Sequence, residues 1–247
     1  MPFPDRTILR AAGLTKRYRH VTALRDVGVS VHAGEVLGLI GPNGSGKTTL
    51  LECLAGVLPS DEGTISVDGH TMTAAERSSL LFYLPDAIAP WPAQTVRWAL
   101  DFTGGFFGAD RSAAGVRDEV MRRLDLGPLL DVAVGALSKG QRKRALLAVA
   151  LLMPHPVLLL DEPFEGLDLR QSRDVGELLR DHARAGRTLF LSIHQINEAA
   201  RVCDRFVLLS QGRVCGEGTL EELAGLVAAR GGAPEAVDLE QVFLALT

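Results

Sequence analysis

Cysteine is scarce in this chain. Cys53, Cys203 and Cys215 are odd in number and form no Cys-x-x-Cys pair. That excludes a disulfide framework and a clustered-cysteine zinc site, and it fits a reducing compartment. Basic charge is not in excess either: 30 acidic residues against 26 basic ones leave a net charge of −4. No overall positive field therefore invites nucleic acid. The longest apolar stretch, Ala145 to Met153, stops at Pro154-His155-Pro156, well short of the roughly 20 residues of a membrane helix. The opening residues MPFPDRTILRAAG lack the apolar segment of a secretory signal. We therefore expect a cytoplasmic chain, any membrane role of which must come through a partner. Internal repeats and low-complexity tracts are missing too. With 47% hydrophobic residues over 247 positions, the chain can bury one large α/β core, or a core with an inserted subdomain.

What is present is chemically specific. Gly41-Pro42-Asn43-Gly44-Ser45-Gly46-Lys47-Thr48-Thr49 follows the apolar run Val36-Leu37-Gly38-Leu39-Ile40 and precedes Leu50, Leu51, Leu54 and Leu58 at helical spacing. Strand, glycine loop and helix N-terminus are the context in which this pattern cradles phosphate. Glycines let successive N–H groups curl around an anion without Cβ clashes. The helix N-terminus adds partial positive charge in the same direction. Lys47 is expected to reach the β- and γ-phosphates, and the Thr48 hydroxyl to ligate Mg²⁺. The sequence predicts a nucleoside triphosphate binder.

Val27, Val29 and Val31 alternate with small or polar residues before Ala33-Gly34, which predicts a half-buried strand and a turn. Gly63 to Val67 reads as a strand closed by Asp68-Gly69. Capping-box spacing predicts helix starts at Thr73 to Glu76 and at Thr219 to Glu222. From Phe82 to Met153 the texture changes: Pro85, Pro90 and Pro92 break the chain, and helical periodicity then dominates. Buried-strand patterns return at Val157–Leu160, Leu189–Ile193 and Phe206–Leu209. Near the end, Gly231-Gly232 marks a break before a short amphipathic helix, Leu239 to Leu246.

A second group of chemical residues closes these strands. Val157-Leu158-Leu159-Leu160-Asp161-Glu162 puts Asp161 at the carboxyl edge of a parallel sheet, where α/β ligands sit. There Asp161 can hold Mg²⁺ opposite Thr48, and Glu162 can orient or deprotonate the attacking water. His194 ends the run Leu189–Ile193. On its own it reads either as a hydrogen-bonded strand end or as a sensor of the γ-phosphate. Ser138, in Leu137-Ser138-Lys139-Gly140-Gln141, is an N-cap type residue before a helix carrying Leu146, Leu147, Val149 and Ala150. It reads as a helix start or as a second anion site far from the first in sequence.

GPNGSGKTT, LSKGQ, LLLDEP, Gly166-Leu167-Asp168 and Ser192-Ile193-His194 stand in an order that resembles the ATP-binding cassette (ABC) ATPases. The resemblance covers nearly the whole chain, and the signature segment separates it from other phosphate-loop proteins. It implies an α/β fold: a P-loop NTPase (RecA-like) core with an antiparallel β subdomain and an inserted helical subdomain. The expected division is 1–81 with 154–218 as ATP-binding core and β subdomain, 82–153 as helical signature subdomain, and 219–247 as a C-terminal helical tail. It implies ATP and Mg²⁺ as ligands. It also implies head-to-tail dimerisation, homomeric or with a second cassette, in which each signature helix closes on its neighbour's ATP. Tyr18, after Lys16-Arg17, matches the residue that stacks on adenine in this family; otherwise it is a strand tyrosine.

Two positions depart from the family pattern. Tyr83-Leu84-Pro85-Asp86 has Asp86 where glutamine is common, and a carboxylate can ligate Mg²⁺ more strongly than an amide. Lys139 stands where glycine is usual, as a solvated lysine or an extra cation at the dimer interface. Seven of the thirteen aromatics lie between 82 and 107, with Trp98, Phe102 and Phe106 at helical spacing. They are subdomain core, or they dock a cytoplasmic helix of a membrane permease. The resemblance implies an ATPase subunit held at the inner face of the cell membrane through its permease, without nucleic acid. Asp238 to Thr247 and the segment GTLEEL at 218–223 look like cassettes of six-helix exporter permeases, which favours export. A GTPase would carry an NKxD segment, which is absent. A non-transport cassette acting on DNA or ribosomes would carry tandem cassettes or long insertions. A regulatory subunit without turnover conflicts with intact Lys47, Asp161, Glu162 and His194.

Overall fold

Two sheets divide the work of the chain in the computed structural model, which describes residues 6–108, 114–229 and 238–247. The first is antiparallel: β1 (Thr7–Tyr18), β2 (Val21–His32), β4 (Glu62–Val67) and β5 (His70–Thr71) lie in the order β2-β1-β4-β5. Val27, Val29 and Val31 are buried and their neighbours face outward, as the alternation predicts. Asp68 and Gly69 both take positive φ, 47° and 80°, the backbone of a tight hairpin turn matched to strand twist.

The second sheet has six strands in the order β10-β9-β3-β8-β7-β6. These are β3 (Val36–Ile40), β6 (Leu81–Leu84), β7 (Val157–Asp161), β8 (Thr188–Ile193), β9 (Arg205–Ser210) and β10 (Arg213–Gly218). β9, β3, β8, β7 and β6 run parallel, and β10 pairs antiparallel at the edge. Every residue of β3, β7 and β8 is buried, which explains continuous apolar runs in place of alternation. Leu158 and Leu160 pack on one face, while Val157 and Leu159 pack on the other with β1, β2 and α1 (Lys47–Ala55).

The stretch expected to be helical begins differently. Phe82 to Leu84 belong to β6, and Leu81 to Leu84 pair in register with Val157 to Leu160. The strand is four residues long and Pro85 follows it at once, too little sequence for a period to declare itself. Helices α3 (Val96–Phe107), α4 (Ala114–Arg123) and α5 (Lys139–Leu152) follow. Half-buried Arg187 then ties the end of α5 to the entry of β7, donating to the carbonyls of Leu151, Met153 and His155.

The capping boxes form as expected. Thr73 opens α2 (Ala74–Arg77) with reciprocal bonds to Glu76. Thr219 and Glu222 do the same before α8 (Leu220–Ala229). Helices α6 (Leu169–Arg184) and α7 (Ile196–Val202) cover the sheet, and α9 (Leu239–Leu246) buries Leu239, Val242 and Leu246 in the same core. Gly231-Gly232 lies outside the described residues.

Candidate active site

Strand register builds this site. β7 and β8 run level, so that Asp161 at one strand end stands opposite Ser192 at the other, while β3 ends at Ile40 beside Ile193. The phosphate loop therefore leaves the sheet directly next to the acids. Its shape depends on glycine at two points. Gly46 has φ 108°, and a Cβ there would stand 2.6 Å from the Ala23 carbonyl; at Gly41 a Cβ would stand 2.3 Å from the Leu209 carbonyl. Any side chain would push the loop off β2 or off β9. The first-turn amides of α1 have no acceptor inside the helix, by helix geometry, and they point at the ligand side of the loop.

Lys47 lies buried in the loop and donates to the Gly41 carbonyl at 2.9 Å. Its ammonium is also 3.6 Å from Glu162 Oε1. Thr48 donates its hydroxyl to Asp161 Oδ2 at 2.8 Å, and Ser192 donates its own to Asp161 Oδ1. Asp161 is 2% exposed, and no lysine or arginine pairs with it among the described residues. A buried carboxylate satisfied by hydroxyls alone is unusual and suits a cation. Two hard oxygens, with phosphate and water completing the shell, fit Mg²⁺. The same carboxylate acts on its surroundings. Burial raises the Glu52 carboxyl above its ordinary range, with Asp161 adding to the effect. The buried Tyr83 phenol is pushed well up by burial and by Asp161.

Glu162 takes φ 48°, a left-handed backbone in a non-glycine residue. Its amide donates to Ser192 Oγ at 2.9 Å, which holds this turn. The turn aims the carboxylate back over the loop, where Oε2 meets His194 Nδ1 at 2.7 Å. Carboxylate and imidazole are thus in direct contact beside the lysine, the arrangement needed to place a water and a phosphoryl group. Such backbone strain gathers at functional positions.

The other expected residues stand further off. Ser138 caps α5 with a complete capping box to Gln141, and no hydrogen bond or ion pair joins Leu137–Gln141 to the phosphate loop among the described residues. Lys139 pairs with Glu165 at 2.5 Å. Asp86 does not meet Thr48 or Asp161 through its side chain; its Oδ1 pairs with Lys143 Nζ at 2.7 Å, and that ammonium lies 3.5 Å from the Asp161 carbonyl. Tyr18 is 43% exposed at the end of β1, with Lys16 Nζ 5.8 Å from its ring centroid. Pro42, Asn43 and Gly44 are exposed along the loop rim. Lys143 and Glu165 escape the sequence reading, and Ser192 enters it only inside a motif, without a role. Of these only Ser192 left a signal, as a hydroxyl inside an otherwise apolar strand. A cavity of about 860 Å³ lies elsewhere, between α4 and α6, lined by Arg122, Arg123, Arg144 and Arg170 with Asp125, Asp174 and Asp181. Glu119, Asp168 and Glu177 line it too, so six acids outnumber four arginines there.

A family profile described as ABC transporter matches residues 24–165. The Nod factor export ATP-binding protein I of Ralstonia nicotianae is 36% identical over 221 residues, covering 87% of this chain and 68% of that protein. The Hemin import ATP-binding protein HmuV of Streptomyces coelicolor is 37% identical over 227 residues, covering 89% of this chain and 81% of that protein. A solved structure described as the ATP-binding subunit of an ABC transporter superposes with a TM-score of 0.86, covering 97% of this chain and 99% of that one at 28% identity. The phosphate loop, the acid pair and the histidine thus sit in a fold and a sequence that agree: this chain belongs to the ABC transporter family, as one of its ATP-binding subunits.

Proposed function

We propose that this chain hydrolyses Mg²⁺·ATP at the edge built by Lys47, Thr48, Asp161, Glu162 and His194, and that it does so as half of a head-to-tail dimer. The carrying observation is the Glu162–His194 contact of 2.7 Å beside Lys47, itself 3.6 Å from Glu162. Glu162 accepts a proton from the attacking water, or orients it, and His194 holds that carboxylate in place. Lys47 and the loop amides of Gly41 to Thr49 bear the phosphate charge, so that little covalent work falls to protein groups. Thr48 and Asp161 are the residues that would hold Mg²⁺, with Asp86 joining them when its carboxylate leaves Lys143; the ion supplies further charge neutralisation. Tyr18 offers its exposed ring to the adenine.

Leu137, Ser138, Lys139, Gly140 and Gln141 then complete the site of the neighbouring subunit. The N-terminus of α5 is exposed at Ser138 and Lys139, as a surface that closes on another chain requires. Two ATP molecules favour closure because they touch both subunits only in the closed state. The segments fall into an ATP-binding core with its β subdomain, a helical subdomain carrying the signature, and a C-terminal tail.

ATP-binding subunits of this family work with a transmembrane permease, and among the described residues no helix is long and apolar enough to cross a membrane. We assign the chain to the inner face of the membrane, docked through the aromatic face of α3. Trp91, Trp98, Phe102 and Phe106 are all partly or largely exposed there. Export is the favoured direction. The relatives include an exporter and an importer, so the preference rests on the docked C-terminal helix α9 and the GTLEEL segment. The test is Glu162→Gln. It retains ATP binding, lowers phosphate release by at least about a hundredfold, and traps a dimer in saturating ATP. Normal turnover in this variant removes Glu162 from the base role, and isolated monomers under the same conditions sink the dimer.

A further inference from the structure

The tip of α5 and the hydrolysis site of the same subunit are joined by a continuous row of polar side chains, Lys139, Glu165, His194, Glu162 and Lys47. Lys139 Nζ meets Glu165 Oε1 at 2.5 Å, and Glu165 Oε2 lies 3.7 Å from His194 Nε2. His194 Nδ1 meets Glu162 Oε2 at 2.7 Å, and Glu162 Oε1 lies 3.6 Å from Lys47 Nζ. Both ring nitrogens of His194 thus face carboxylates, one on each side. The row runs inward, from a lysine side chain 58% exposed to one 7% exposed.

Backbone packing aims Lys139 along this row. A Cβ on Gly140 would stand 2.5 Å from the Gly166 carbonyl, so the first turn of α5 rests directly on the turn after Glu165. Gly166 itself has φ 81°, and a Cβ there would stand 3.1 Å from Lys139 Cγ. The lysine stem therefore lies across the glycine, and its ammonium emerges beside Glu165. The hydrogen bond from Lys139 holds the Glu165 carboxyl below its ordinary range. Glu165 in turn holds the Lys139 ammonium above its own. An ion pair this exposed contributes little to stability. Its effect is to fix where a carboxylate stands.

We propose that Lys139 is a positioning residue for hydrolysis: through Glu165 it sets the placement of His194 against Glu162. Movement of the α5 tip is then felt at the catalytic carboxylate of its own subunit. The use of this coupling rests on the head-to-tail dimer proposed above, in which that tip meets the neighbour's nucleotide; the row itself lies within one chain. Glu165 is the joint, touching both Lys139 and His194, while Lys139 touches neither His194 nor Glu162.

Two measurements on the purified full chain test this. The first is the ¹⁵N signal of the His194 ring without nucleotide, identified by its loss in His194→Gln. Lys139→Ala shifts it although the two residues do not touch, Glu165→Gln shifts it further, and Lys139→Arg leaves it near its original place. The second is steady-state ATP turnover. Lys139→Ala and Glu165→Gln each lower kcat about fivefold with KM for ATP unchanged, and the double variant falls no further than Glu165→Gln alone. A His194 signal untouched by Lys139→Ala overturns the proposal, as do losses that multiply in the double variant. Absence of ATP turnover in the unaltered chain would instead count against the hydrolytic reading, and the His194 signal still decides the relay.

Discussion

The phosphate-loop edge and the outer face of α3 use side chains in opposite ways. At the loop edge the acids, the histidine and the lysine have partners of matched chemistry: Thr48 and Ser192 on Asp161, His194 on Glu162, Lys47 on Gly41. On α3 the helix buries Val96, Ala99, Leu100 and Thr103, and turns its aromatics outward. Trp98 stacks on Phe102 at 4.6 Å, Trp91 packs edge-on to both, and Phe106, 74% exposed, continues the row. The first region is held by polar bonds among its own side chains. The second is an apolar ladder that continues through Phe107 to Phe82 and His155 and leaves its outer rings exposed, the kind of patch on which the proposed docking rests. Of the aromatics between 82 and 107, Phe82 and Tyr83 pack against the cores, whereas the α3 row lies outside the stripe of Val96, Ala99, Leu100 and Thr103 that the helix buries.

The sharpest way to test the contrast is to remove one atom from the loop edge. Thr48→Val keeps the shape of the side chain and deletes the hydroxyl that donates to Asp161. Turnover is expected to fall by about a hundredfold or more, read by phosphate release, with folding intact by circular dichroism. Wild-type turnover in Thr48→Val would detach the Thr48–Asp161 pair from the chemistry.

Legibility in the sequence follows the same contrast. Gly41 to Thr49, Asp161 and Glu162 were readable because backbone geometry and strand register demand particular residues at fixed spacing. The strands Val157–Leu160 and Leu189–Ile193 declared themselves as apolar runs. Which face each residue takes did not, since both faces of the sheet are covered and no alternation survives. β6 was invisible because four residues before a proline carry no period. Ser192 stands inside a motif but carries no role there, because only its register opposite Asp161 gives it one. Glu165 and Lys143 carry no local signal at all. Their partners lie 26 and 57 residues away in sequence, and such pairs become visible only when the helix and the loops are assembled.

On the aromatic face the expected effect is smaller and of another kind. Trp91→Ala removes the ring packed edge-on against Trp98 and Phe102, while leaving the buried side of α3 untouched. ATP turnover of the isolated chain should change by less than about twofold, and affinity for the permease should drop about tenfold, as for a central aromatic anchor. Co-purification and a titration with the reconstituted permease read this. Unchanged assembly and transport would take Trp91 out of the docking surface.

The smallest expected effect lies where the two regions meet, at Asp86. This residue follows β6 and pairs with Lys143 of α5, whose side chain is only 6% exposed. The loop carrying Asp86 thus leads from the catalytic edge toward the α3 face. Asp86→Gln keeps an oxygen for Lys143 and removes the charge, so a nearly buried ammonium faces a neutral amide. A stability loss of about 1 kcal/mol is expected, from weakening a charge-assisted bond without deleting it, and denaturant unfolding measures it. If the carboxylate also serves the metal, the Mg²⁺ concentration for half-maximal turnover should rise several-fold, because an amide ligates Mg²⁺ more weakly than a carboxylate. Loss of stability with unaltered Mg²⁺ dependence and unaltered stimulation by the permease would restrict Asp86 to holding α5. In that case the two regions communicate through an ion pair alone, and the metal belongs to Thr48 and Asp161.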